Sequence, residues 1–120
     1  MKHYDSNYEV WDFVEDLKLD FFSGNVVKYL ARFTKKDGLK DLNKAIDYLS
    51  KMIKSPTKRY EIKKKNYLNT YKDYIYKFLC SEYFMHETGE EVKSAIRLML
   101  SGDFEKSIII INNLKNVYNF

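Results

Sequence analysis

GNVVKYLARFTKK, residues 24–36, runs through Asp37 into GLKDLNKAIDYL, residues 38–49. Apolar residues recur in both stretches at spacings of three, four and seven, the period of a helix with one packed face. In the first stretch Val26, Val27, Leu30 and Phe33 fall on one side, and Asn25, Lys28, Tyr29 and Arg32 gather in a narrow arc on the other. The second stretch packs through Leu42, Ala45, Ile46, Leu49 and Ile53, while Asp41, Lys44 and Tyr48 share a different side. Consecutive helices of this kind make the chain all-α. An arc holding an amide, a phenol and two cations suits an anionic ligand or an acidic partner.

The same period extends outward. Ser6-Asn7-Tyr8-Glu9 reads as a capping box opening a first helix from Ser6 to about Leu17, with Val10, Phe13, Val14 and Leu17 inward. Its outer side is acidic: Glu9, Asp12, Glu15 and Asp16. The second helix runs from about Phe21 to Phe33 and the third from about Leu39 to Ile53, where Ser55-Pro56-Thr57 ends the unit.

A long central helix is expected from Lys58 to Phe84, with Tyr60, Tyr67, Tyr71, Tyr74, Ile75 and Phe78 along one side. The heptad-like step from Tyr60 to Tyr67 to Tyr74 suits a packing seam, or a helix from a second subunit. Thr88 to Glu91 reads as another capping box, opening a helix that ends near Ser101-Gly102. The last helix spans about Asp103 to Val117. Its run Ile108 to Ile111 is too broad for one neighbour to cover, so it is central or part of a subunit contact. The expectation is a single domain over residues 1–120, a bundle of five to six helices, dimeric through Tyr60, Tyr67, Tyr71, Tyr74, Ile109 and Ile110.

Composition sets limits on function. One cysteine, Cys80, excludes an internal disulfide and reads as intracellular, and two histidines leave too few ligands for a zinc site. No stretch reaches the roughly 20 apolar residues of a membrane span, and the acidic start does not resemble a signal peptide. Cytoplasmic residence is expected. The net charge of +4 arises mainly in residues 55–84, with seven basic and three acidic side chains. Lys63-Lys64-Lys65 wraps around its helix, so a continuous nucleic-acid stripe is not indicated. Trp11 is expected to pack against the second helix, Cys80 to be a small half-buried residue, His3 to cap or pack, and His86 to sit in a turn.

His3-Tyr4, Glu9, Trp11-Asp12, Phe22, Gly24-Asn25, Lys28-Tyr29, Arg32, Lys35-Lys36, Gly38, Asp41-Leu42, Lys44-Ala45 and Tyr48-Leu49 together resemble the phage SaV-like family, often labelled a nucleotide kinase. The resemblance covers roughly residues 2–53, so residues 1–54 form the SaV-like three-helix unit and 58–120 a helical half available for dimerisation. It implies a phage protein in the host cytoplasm that acts by binding and is recognised by the host abortive-infection protein AbiV. The kinase label implies an alternative, a deoxynucleoside monophosphate kinase. In that case Asn25, Lys28, Tyr29, Arg32, Lys35 and Lys36 bind phosphates, with Asp41, Lys44 and Tyr48 facing them.

Residue chemistry supports anion binding better than catalysis. The chain has no GxxxxGK[ST] loop, and Gly24-Asn25 opens no recognisable phosphate nest. Asp12, Asp37 and Asp41 are the candidate metal partners, but no metal site is expected; magnesium and nucleotide enter only with the kinase alternative. A helical pyrophosphohydrolase would need carboxylate pairs on facing helices. Glu9-x-x-Asp12 supplies one pair and no second follows.

Overall fold

The computed structural model describes residues 7–118. Helix α1 spans Val10–Leu17, α2 Phe21–Arg32, α3 Leu39–Lys54, α4 Lys58–Lys65, α5 Tyr67–Thr70, α6 Lys72–Leu79, α7 Gly89–Leu100 and α8 Phe104–Tyr118, with a 3₁₀ turn at Glu82–Phe84. No strand occurs among the described residues, so the all-α expectation holds.

Two helical hairpins build the centre. Helix α2 packs on α3 and α7 on α8, and the pairs α3–α8 and α2–α7 close the arrangement into a four-helix bundle. Val26, Val27 and Leu30 meet Leu42, Ala45, Leu49 and Met52 there, with Val92, Ala95, Ile96 and Met99 from α7 and Phe104, Ile111 and Leu114 from α8, all buried. The described molecule is 19 Å thick, about two helix layers. Ser107 lies wholly inside, and its hydroxyl donates to the Ala95 carbonyl at 2.8 Å, so this buried polar group is satisfied. Gly38 sits at φ +49°, a backbone region that favours glycine, in the turn joining α2 to α3. Gly89 is needed for a different reason: a Cβ there would lie 1.8 Å from the Phe84 carbonyl oxygen.

Helix α1 lies across α2 and α6. Phe13 and Phe78 stack there at 4.2 Å between ring centres, both fully buried. The α1 start differs from expectation. Ser6 lies outside the described residues, and the helix begins at Val10 with Glu9 as cap, in a reciprocal box with Asp12. Val10 and Val14 are only half-buried. Trp11, expected to pack, is 71% exposed.

The expected long helix over Lys58 to Phe84 is divided into α4, α5 and α6. Asn66 adopts the left-handed conformation (φ 51°, ψ 52°), and Tyr71 breaks the path again at φ −117°, ψ 28°. The tyrosines therefore do not form one stripe: Tyr67 is 4% exposed and part of the core, while Tyr60 and Tyr74 face outward and Tyr71 is half-buried. Tyr67 is thus unavailable to a second subunit. In the Ile108–Ile111 run, Ile111 is buried, Ile108 and Ile110 are half-buried and Ile109 is exposed. The box expected at Thr88–Glu91 does not form, because the Thr88 hydroxyl bonds Tyr118 Oη at 2.8 Å instead of a helix N–H.

Candidate functional site

The nine residues expected to bind phosphate or a partner all lie on α2, α3 and their connecting turn, but the fold sorts them into three environments. Arg32, at the end of α2, donates from Nε to Asp41 Oδ2 and from Nη2 to Asp37 Oδ2, both at 3.1 Å. Asp41 also accepts from the Asp37 backbone N–H at 3.1 Å. Its side chain is fully buried, and its Oδ1 has no hydrogen-bond partner. This cluster locks the α2–α3 turn. The bond to Asp41 holds the Arg32 pKa above its ordinary value, against the opposing effect of burial. Asp41 is therefore a structural anchor for Arg32 and does not face a ligand.

The remaining cations of this end surround a cavity. Arg32, Lys35 and Lys36 line a space of about 310 Å³ together with Ser81, Glu82 and Tyr83 from the 3₁₀ segment. Lys35 and Lys36 are exposed, and among the described residues Glu82 is the one carboxylate in this wall. Ser81 is 3% exposed, and its Oγ has no hydrogen-bond partner. Spacing in the sequence carried no signal for Ser81, a lone serine some 45 residues from the lysines it joins.

Tyr83 also lines a second trough of about 370 Å³, where Asn25, Lys28 and Gly24 of α2 face Trp11 and Val14 of α1. Asn25 is partly committed to its own helix, since its side-chain amide donates to the Phe21 carbonyl at 2.7 Å. The start of α2 is anchored by Asp20, which accepts from the Ser23 N–H at 2.8 Å and pairs with Lys58 of α4. Burial pushes the Asp20 pKa up, but the bonds from Lys58 and Ser23 outweigh it and hold the carboxyl below its ordinary value.

Tyr29, Lys44 and Tyr48 occupy the third environment, on the outer side of the α2–α3 hairpin. Tyr29 and Tyr48 stack at 6.1 Å with 16° between planes. Lys28, Arg32 and Lys44 lie 5.0, 5.3 and 5.7 Å from the Tyr29 ring centre, within cation–π range.

The three candidate metal partners are engaged within the fold. Asp12 caps α1 by accepting from the Glu9 N–H at 3.0 Å, and Asp37 and Asp41 share the Arg32 guanidinium. Among the described residues no group of three or more His, Cys, Asp or Glu side chains is placed to hold a metal ion. His3 lies outside the described residues. His86 sits in the turn before α7, its ring edge-on to Phe33 at 5.8 Å, and burial pushes its pKa down. Cys80 is a free, half-buried thiol.

The profile of a family of unknown function, DUF3310, matches residues 1–50. No curated protein and no solved structure matches the chain. The matched stretch carries α1, α2, most of α3 and all nine candidate residues, whereas Ser81, Glu82 and Tyr83 lie beyond it. Arg32, Lys35 and Lys36 thus lie inside the matched stretch, and the wall formed by Ser81, Glu82 and Tyr83 lies outside it. Among the described residues no helix is long and apolar enough to cross a membrane.

Proposed function

We propose that this chain acts by binding, with the Arg32/Lys35/Lys36 cavity as its recognition site and the Lys28 trough as its shoulder. The observation that carries this reading is the convergence of three cations on a cavity of about 310 Å³ whose wall, among the described residues, holds a single carboxylate, Glu82. Arg32 is held in place by Asp37 and Asp41, so one cation is pre-oriented and the two lysines adapt. A preformed cationic pocket fits an acidic side chain presented by another protein. The resemblance to the SaV-like family supports a host defence factor of the AbiV kind as that protein, acting on a phage product in the host cytoplasm. Tyr60, Tyr74 and Ile109, exposed, with Tyr71 and Ile110, half-buried, are left to support a homodimer.

The nucleotide reading shares the same cations, since phosphate oxygens suit Arg32, Lys35 and Lys36 equally well, and the unpartnered Ser81 hydroxyl offers a further donor. The two are separated by calorimetric titration of the purified chain with AbiV and, separately, with deoxynucleoside mono- and triphosphates in magnesium. The informative variant is Lys35→Ala/Lys36→Ala, because both side chains are exposed and their removal leaves the fold intact. Arg32→Ala is unsuitable, as it strands the buried Asp41 carboxylate. Saturable AbiV binding weakened at least about 10-fold in the double variant, with an unchanged melting temperature, is the expected result. Nucleotide binding lost in the same variant transfers the site to nucleotide handling. Absence of both, or AbiV binding indifferent to the variant, overturns the proposal.

A further inference from the structure

The outer side of the α2–α3 hairpin carries an aromatic ledge that the cavity reading does not use. Phe21, Phe22, Tyr48 and Tyr29 form a continuous chain of rings. Phe21 contacts Phe22 and Tyr48 at 5.7 Å each, Phe22 contacts Tyr48 at 6.2 Å, and Tyr48 stacks on Tyr29 at 6.1 Å. The ledge is open: Phe21 is 67% exposed, and Phe22, Tyr29 and Tyr48 are half-buried. Leaving a cluster of rings at the surface forgoes burial worth roughly 25 cal/mol per Å², so such a cluster marks a contact surface.

Cations border it on both helices. Lys28 and Lys44 reach over Tyr29. Lys44 and Lys51, two turns apart on α3 and about 10 Å along its axis, line with Phe21, Phe22 and Tyr48 a depression of about 400 Å³. Among the described residues Asp47 is the one carboxylate in that lining. Flat rings alternating with cations are what a flexible polyanion with flat bases requires, stacking on the former and placing phosphates near the latter. An acidic peptide would use the lysines but gain little from open ring faces, and a duplex buries its base faces internally.

We propose that this ledge binds single-stranded nucleic acid, with Phe21 and Tyr48 as stacking residues and Lys28, Lys44 and Lys51 as phosphate contacts. Neither α2 nor α3 alone displays the pattern, which is why no basic stripe is visible in the sequence. The ledge shares Phe21 and Lys28 with the trough beside it but none of the residues that line the Arg32/Lys35/Lys36 cavity.

The test is fluorescence anisotropy of a labelled short oligothymidine, its duplex with oligoadenosine, and an oligoglutamate peptide, titrated at several salt concentrations. Single-strand binding should be saturable and salt-sensitive, and the duplex and the peptide should bind more weakly. Phe21→Ala, at an exposed position, should cost about 10-fold or more in affinity. Lys44→Gln/Lys51→Gln should also reduce the salt slope by about 1.4, at about 0.7 per phosphate contact. Lys35→Ala/Lys36→Ala should bind as wild type, which separates this site from the cavity. No single-strand binding, equal affinity in Phe21→Ala, duplex binding as tight as the single strand, or tighter binding of the peptide would each overturn the assignment.

Discussion

The α2–α3 hairpin and the α4–α6 segment are both lysine- and tyrosine-rich, yet one forms two unbroken helices and the other three short pieces. Helix α3 buries Leu42, Ala45, Leu49 and Met52 at regular spacing over 16 residues. Helix α4 buries Ile62 alone over eight, and α5 buries only Tyr67. Propensity supports a helix in both regions. Only in the hairpin does a continuous apolar stripe reward a straight axis, since most helical stability in a protein comes from packing an amphipathic face. Where burial is intermittent, the chain bends so that each anchor reaches the core. The segment is held by Ile62, Tyr67, Ile75, Phe78 and Leu79 as separate points.

If anchors rather than helix continuity hold this segment, one residue should dominate its energetics. Phe78 stacks on Phe13 and meets Phe84 at 5.2 Å and Tyr83 at 5.7 Å. Phe78→Ala should cost about 3–5 kcal/mol in urea unfolding, whereas Tyr60→Ala and Tyr74→Ala, at exposed positions, should stay within about 0.5 kcal/mol. Comparable losses at all three sites would mean that the segment folds as one cooperative helix after all. Phe13→Ala should be strongly non-additive with Phe78→Ala, because the two rings share one contact.

A smaller effect should appear in alkali. Burial, then the negative charge of Asp20, then Tyr71, push the Tyr67 phenol from 10.0 up to about 12. A raised phenol favours the fold while neutral, so its contribution is fully present below pH 10 and is lost as pH rises through about 12. Melting temperature should therefore decline over that window, and Tyr67→Phe should flatten part of the decline. An unchanged profile in the variant would place Tyr67 at the surface, and with it the tyrosine stripe that a straight helix would have produced.

The contrast between the two regions also explains what the sequence made legible. Periodicity placed α2 and α3 to within a residue because every third or fourth position there is buried. The same rule, extended across Asn66, produced a helix that the chain does not form and placed Tyr67 in a seam open to a second subunit. At the site, periodicity put Asn25, Lys28 and Arg32 on one side of α2 and Asp41 on a polar side of α3, where the fold buries Asp41. It has no means of showing that Arg32 and Asp41 face each other across the turn, so the buried partner of Arg32 read as a second ligand-facing group. Ser81 and the Phe21–Tyr48 ledge depend on contacts between elements, which spacing within one element does not encode.

The smallest predicted effect tests the break itself. Asn66 sits in the left-handed region, which asparagine tolerates better than any residue except glycine, and its N–H caps α4 by donating to the Lys63 carbonyl at 3.1 Å. Asn66→Ala should cost about 1 kcal/mol, because alanine lacks the short polar side chain that supports asparagine in that conformation, while Asn66→Gly should be close to neutral because relief of the Cβ strain offsets the extra freedom of the unfolded chain. Ala is also the better helix former by intrinsic propensity. If the junction were helical in solution, the order would reverse, with Asn66→Ala stabilising and Asn66→Gly destabilising. The sign of the difference between these two variants therefore reports directly whether the chain bends at Asn66.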